Sequence, residues 1–195
     1  MAPKYRTRGL AGDIPEGARG SAVLVLLTPE NEGATPGELL DWKVLLIRRN
    51  CYPGVHSGQI AFPGGKREES DAGFWETACR EAHEEVGVDR DRVEKVGSLS
   101  NIYIPPSNFV VHPFVALNRA DDGFTADPRE VADFKNIPVK VFDPEKSVML
   151  DFPHRDGGKR PAPAWQYDGY TVWGATAMIL SELYRLIAEQ TLIRV

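Results

Sequence analysis

Cysteine is scarce in this sequence: only Cys51 and Cys79 occur in 195 residues, with no metal-ligand spacing between them. That excludes a disulfide-stapled scaffold and a cysteine-built zinc site. Cys79 falls on an apolar helical face, so reduced thiols and a cytoplasmic setting are expected. Long hydrophobic runs are also missing. No segment approaches the roughly 20 apolar residues that cross a bilayer, and the stretch after Met1-Ala2-Pro3-Lys4-Tyr5-Arg6 lacks the apolar core of a signal peptide. Nor is positive charge in excess: 23 Lys and Arg stand against 28 Asp and Glu, a net charge of −5. A general nucleic-acid binder needs a broad basic face, which this balance argues against. A local basic pocket for one phosphorylated small molecule remains compatible with it. Internal repeats and low-complexity tracts are absent.

What is present suits a globular fold. Hydrophobic residues make up 42% and charged residues 26%, with four Trp and eight Phe. Residues 1–19, rich in Gly, Pro and charge, read as a loose arm, and 20–195 as one domain. Ser21–Leu27 and Trp42–Arg48 read as strands, with further strand-like runs at Val93–Ile104, Phe109–Leu117 and Ile137–Phe142. Residues 119–130 and 143–163 read as loops, and Trp165–Tyr167 with Tyr170–Trp173 as a hairpin around Asp168-Gly169. Helices are expected over Asp71–Val86 and from Gly174 to about Glu189. The second would set Met178, Ile179, Leu183, Leu186 and Ile187 on its apolar face. Strands with one central and one terminal helix predict an α+β fold, a mixed sheet covered on both faces.

The first helix carries the chemistry. At about 100° per residue, Trp75, Ala78, Cys79, Ala82 and Val86 form a core-facing stripe, while Arg80, Glu81, Glu84 and Glu85 share a separate arc. Three carboxylates on one face repel each other, and near a helix C-terminus they also oppose the macrodipole. A divalent cation would reverse that balance, and hard oxygen ligands select magnesium or manganese. The bland alternative is a solvated acidic face. Gly64-Gly65 just upstream favours the metal, because it lets the backbone turn tightly and offers the Gly64 carbonyl as another oxygen ligand.

These residues resemble the Nudix box, in which a glycine and a middle acid precede Arg-Glu-x-x-Glu-Glu-x-Gly. The match runs through Gly65, Arg80, Glu81, Glu84, Glu85 and Gly87. Asp71 stands where the family has Glu, followed by eight residues instead of seven. The resemblance implies an α/β/α sandwich and hydrolysis of a nucleoside diphosphate joined to another moiety. It implies Glu81 and Glu85 as principal metal ligands, Glu84 as a further ligand or proton acceptor, and Arg80 as the group that orients the acids. For the middle acid, Asp71 here, the resemblance implies a structural role.

The flanks are similar to the coenzyme A pyrophosphatase branch of that family: Leu45 to Asn50, His56 to Gly65, Tyr103 to Phe114, and Trp173-Gly174-Ala175-Thr176. Three positions depart from it. Gly54 stands where the branch often has Arg, and Ile47 and Asn50 replace the usual Thr and Ser. The branch implies magnesium- or manganese-dependent cleavage of coenzyme A to 3′,5′-ADP and 4′-phosphopantetheine. Alternatives are another nucleoside-diphosphate-X hydrolase, acting on ADP-ribose or a dinucleotide, or a silent module that only binds a nucleotide. The retained acids weigh against silence. Substrate contacts are assigned to Arg49, His56 and Gln59, with Arg49 as the cation for the 3′-phosphate. Glu130 is a candidate general base. Structural readings compete for several of these: a surface ion pair for Arg49, structural roles for His56 and His112, a turn for Gln59, and core positions for Trp165, Tyr170 and Trp173. No membrane or nucleic-acid partner is expected, and a homodimer stays open.

Overall fold

The computed structural model describes residues 14–29, 39–51, 57–118, 123–154 and 157–193. The expected N-terminal arm lies for residues 1–13 outside the described residues, and β1 (Arg19–Thr28) follows it. The segment Ala22–Leu27 is apolar at every position because the sheet is covered on both faces. Ala22, Leu24 and Leu26 pack with Ala78, Ala82 and Val86 of α1 (Phe74–Val86). Val25 and Leu27 point the other way, into a core shared with Ile179, Leu180, Leu183 and Ile187 of α2 (Gly174–Ile193). The strand β2 (Lys43–Arg49) repeats the alternation, with Leu45 and Ile47 toward α1 and Val44 and Leu46 toward α2.

Three shorter strands follow the first two along the chain: β3 (Ile60–Ala61), β4 (Gly64–Lys66) and, after α1, β5 (Val93–Ser98). β6 (Ile102–Ile104), β7 (Phe109–Asn118) and β8 (Val131–Pro138) complete an eight-stranded sheet. β1 runs parallel to β7, with Arg19 facing Phe109 and Leu27 facing Leu117. Every other pair in this sheet is antiparallel: β7 with β5 and β6, β1 with β2 and β4, β2 with β3 and β8. The mixed α+β sheet with a helix on each face is as the sequence pattern implies.

One detail of register shapes the site. β1 and β2 pair only at Leu27–Val44 and Thr28–Lys43. Continuing that register would set Arg49 opposite Ala22, but Ala22 pairs with Gly65 of β4 instead. The strands β2 and β4 therefore diverge and leave a notch beside β1. A bulge between Arg48 and Arg49, against β8, marks the place where β2 turns into it.

Several expectations change. The first helix begins at Phe74 rather than Asp71, because Asp71 turns its side chain back onto the helix. Val93–Ile104 is two strands, β5 and β6. Residues 137–142 split between the end of β8 and a 3₁₀ turn, Val139–Phe142. The expected loop over 143–163 instead holds β9 (Val148–Pro153) and the start of β10 (Lys159–Tyr167), which with β11 (Tyr170–Val172) form a separate antiparallel sheet. Met178 and Leu186, expected on the apolar face of α2, are 42% and 46% exposed. Among the described residues no helix is long and apolar enough to cross a membrane.

Candidate active site

The site is built from a tight turn laid across the acidic face of α1. Gly64 has φ 150°, and a Cβ there would lie 2.3 Å from the Ala22 carbonyl oxygen, so only glycine fits. A Cβ on Gly65 would lie 2.3 Å from the Glu81 carboxylate. The missing side chain is what lets Glu81 lie against the turn.

Glu85 is 1% exposed, deep beneath that turn. Its Oε2 accepts from the Gly64 N–H at 2.8 Å. Arg49 comes from the other side of the notch: its Nη2 donates to the Gly64 carbonyl at 2.6 Å, and its Nη1 lies 3.1 Å from Glu85 Oε1. That second contact is an ion pair without hydrogen-bond alignment, so Glu85 Oε1 is a buried oxygen with no hydrogen-bond partner. Burial pushes the Glu85 carboxyl up to about 7, although Arg49 and the Gly64 N–H both favour its charged form. The Glu81 carboxyl is also raised by burial, against the pull of Arg80.

Arg80 is fixed far more firmly. Its Nε and Nη2 donate to the two Asp71 oxygens at 2.9 and 3.1 Å, and Nη2 also reaches the Lys66 carbonyl at 3.1 Å. Its Nη1 lies 3.0 Å from both Glu81 Oε1 and Glu84 Oε2. Asp71 accepts further bonds from Thr77 Oγ1 and the Glu68 N–H, both at 2.9 Å. The Arg80 guanidinium beside it holds its carboxyl well below the usual carboxylate range. A depressed carboxylate contributes stability that is complete above its unfolded value and is lost as pH falls through the folded one. Asp71→Asn breaks this buried pair and is expected to cost about 3 kcal/mol at pH 7. A thermal melt should show a drop of roughly 6–12 °C, and a shift under 2 °C would refute the anchoring role.

Among the described residues no three acidic, histidine or cysteine side chains converge as a ready-made metal cage. In this arrangement Glu85 is paired with Arg49, and Glu81 and Glu84 are paired with Arg80. The donor set nevertheless fits a hard divalent ion. Glu85 Oε1 is buried with its acceptor capacity unused, and the Gly64 carbonyl and Glu81 flank the same turn. Glu84 is the outlying member, its side chain 52% exposed and turned to Arg80.

A cavity of about 750 Å³ opens from this turn. Arg49, Gln59, Gly64, Gly65 and Lys66 form its polar end, and Ile104, Phe109, Val111, Trp173 and Ile179 its apolar walls. Gln59 therefore lines the cavity, and its carbonyl accepts from the Arg49 N–H at 3.1 Å. His56 lies outside the described residues. The Glu130 carbonyl accepts from the Asn50 N–H at 3.0 Å, and its charge contributes to raising Glu85. His112 is half-buried and stacked on Phe74 at 3.8 Å, away from the acids. Trp165 and Tyr170 are core, as read, whereas Trp173 stacks on Phe152 at 4.0 Å and lines the cavity. The sequence reading did not anticipate Lys66 as a lining residue or the contribution of Pro153 from β9. Lys66 directly follows the glycine pair and was within reach of that motif, but nothing local in the Pro-punctuated stretch marks Pro153.

A mixed sheet between two helices, with carboxylates aimed at a glycine turn, defines a class of hydrolases that act on phosphoanhydrides. The family comparison gives that class its name. A family model described as NUDIX domain matches residues 18–161, and the chain belongs to the Nudix family, hydrolases of pyrophosphate bonds in nucleoside-diphosphate compounds that generally use divalent metals. It is 35% identical over 152 residues to Nudix hydrolase NudL of Pectobacterium atrosepticum, covering 75% of this chain and 76% of the relative. The NudL protein of an Enterobacter species is 35% identical over 170 residues, covering 85% and 81%. Among solved structures, a MutT NUDIX hydrolase from Burkholderia pseudomallei superposes with a TM-score of 0.50 at 16% identity, covering 86% of this chain and 99% of the other. A MutT/nudix family protein from Enterococcus faecalis gives 0.51 at 17% identity, covering 89% and 64%. These two likenesses concern the fold alone.

Proposed function

We propose that this Nudix hydrolase cleaves the diphosphate of coenzyme A or its derivatives, giving 3′,5′-ADP and 4′-phosphopantetheine, with magnesium or manganese held by Glu81, Glu85, the Gly64 carbonyl and Glu84. The observation that carries the reading is the asymmetry of the cavity. Two cations, Arg49 and Lys66, stand at the end beside the glycine turn, no carboxylate lines it among the described residues, and its other walls are mainly apolar, with Ser107 and Thr176 among them. An anionic diphosphate suits the first end, and a pantetheine arm with its gem-dimethyl and methylene groups suits the second. The terminal ribose of ADP-ribose would set its hydroxyls against the mainly apolar wall of Ile104, Val111 and Ile179, with Ser107 and Thr176 as the polar side chains nearby in sequence.

In the reaction, water adds to one phosphorus, the bridging P–O bond breaks, and each half leaves with one of the two phosphates as a phosphomonoester, the adenosine half keeping its 3′-phosphate as well. The bound cation supplies charge neutralisation and an activated water. Arg80, locked by Asp71, holds Glu81 and Glu84 in place. Arg49 is assigned to the diphosphate rather than to the 3′-phosphate of the sequence reading, because its guanidinium sits on the Gly64 carbonyl and Glu85. Gln59 and the His56 segment are assigned to substrate contacts, and Glu130 is a candidate proton acceptor.

The test is a comparison of kcat/KM for coenzyme A, 3′-dephospho-coenzyme A and ADP-ribose with magnesium or manganese, with products identified. Coenzyme A is expected to exceed ADP-ribose by at least about tenfold, the equivalent of burying two methylene groups. ADP-ribose turned over equally well or better would overturn the substrate reading while leaving the hydrolase class intact.

A further inference from the structure

The two arginines of the site are held in very different ways. Arg80 donates to both Asp71 oxygens and the Lys66 carbonyl, and α1 carries it beside its acids. Arg49 stands at the end of a diverging strand. Among the described residues its guanidinium makes one well-formed hydrogen bond, to the Gly64 carbonyl, and one misaligned ion pair, to Glu85. Those two oxygens are the ones a divalent cation would take from the turn and from the deepest acid. The side chain is 25% exposed and borders the open cavity, so it has space to withdraw into.

We propose that Arg49 is the resident counter-cation of the metal site: it holds Glu85 and the Gly64 carbonyl until the metal arrives, then gives them up and turns its guanidinium into the cavity. The exchange conserves the logic of the site, since a buried carboxylate is never left without a positive partner. It also couples two ligands. A guanidinium released from the acids becomes free to grip phosphate oxygens in a bidentate manner, so metal binding prepares the anion site, and by linkage an anion favours metal binding. The mobile partner is Arg49 because Arg80 would have to abandon Asp71, which anchors it through two bonds.

This inference rests on the family's use of a divalent metal and not on coenzyme A as substrate, so it is tested without turnover. Manganese binding to the substrate-free protein is measured by calorimetry for the wild type, Arg49→Met and Arg49→Lys. Removing the competitor should tighten binding by about 10- to 100-fold in Arg49→Met, the worth of a charge-assisted contact. Arg49→Lys should fall between, because one ammonium cannot span both oxygens as the guanidinium does. Unchanged or weaker manganese binding in folded Arg49→Met would mean that Arg49 supports the ligands rather than competing for them, and the proposal fails. A second measurement needs no variant: labelling of wild-type Arg49 by an arginine-selective dicarbonyl, located by peptide mass spectrometry, should rise with manganese. Labelling that stays level or falls counts against the exchange.

Discussion

Glu85→Gln is expected to lower kcat by about 10²- to 10³-fold and, in the same protein, to raise the stability of the metal-free fold at pH 8. The two effects have one origin. Glu85 is a nearly fully buried acid whose carboxyl rises from 4.5 to about 7. Because the folded value lies above the unfolded one, folding favours the neutral acid, and stability is lost as pH climbs through that window. At about 1.36 kcal/mol per unit the full penalty is a little over 3 kcal/mol. The amide avoids it but leaves Arg49 short of a partner, so a net gain of about 1–2 kcal/mol is expected, roughly 2–8 °C in Tm. At pH 5, where Glu85 is already protonated, the gain should disappear. Glu81→Gln should share the loss of activity. Glu68→Gln and Glu69→Gln, exposed and ahead of the helix, should change neither quantity. Comparable losses of kcat in both pairs would falsify the assignment of α1 as the reactive face.

Stripping divalent metal is expected to abolish turnover, by at least about three orders of magnitude, with recovery on adding magnesium or manganese. The reason is electrostatic. Glu81 and Glu85 pack against the glycine turn that borders the cavity, so their charge opposes an anionic diphosphate unless a cation screens it, and a bound cation would be worth several kcal/mol to the charge of the transition state. A cation that binds only the folded site also stabilises it in proportion to its concentration. The melting temperature should therefore rise with manganese, and rise more at pH 8 than at pH 5, because the ligands must be ionised. Undiminished turnover in thoroughly chelated protein would remove this chain from the metal-dependent mechanism of its family.

How much of this was legible in the sequence depended on how local the signal was. β1, β2 and β7 announce themselves because both of their faces are buried and their residues are apolar or β-branched almost throughout. The helix α1 is legible from its stripe, and Gly87 closes it at φ 71° as its position suggested. β8 reads Val131-Ala132-Asp133-Phe134-Lys135-Asn136, a strand whose polar residues hide its pairing with β2. β9 and β10 carry Pro153, Pro161 and Pro163, which argue for loop unless a strand lies at a sheet edge. In the site, the helical wheel put Arg80, Glu81, Glu84 and Glu85 on one arc and treated the acids as equivalent. What separates them is tertiary. The turn at Gly64 buries Glu85, Arg80 draws Glu84 outward, and Arg49 crosses the notch to the Gly64 carbonyl. None of those relations has a spacing that a sequence could display.

The parallel pairing of β1 with β7 has a consequence for how the molecule assembles. Paired residues of these strands lie ninety positions apart in the chain, yet the strands form the spine on which both helices pack. Parallel neighbours joined by so long a segment repay their loop-closure entropy only when the closure is nearly complete, which slows folding relative to a chain of hairpins. During synthesis, α1 and the glycine turn leave the ribosome well before Asn118, the last residue of β7. Until then the acidic helix has only β1, β2 and β4 beneath it, and Trp75 lacks the Phe114 ring it meets in the finished sheet. The acidic face is thus made before the sheet that supports it is complete.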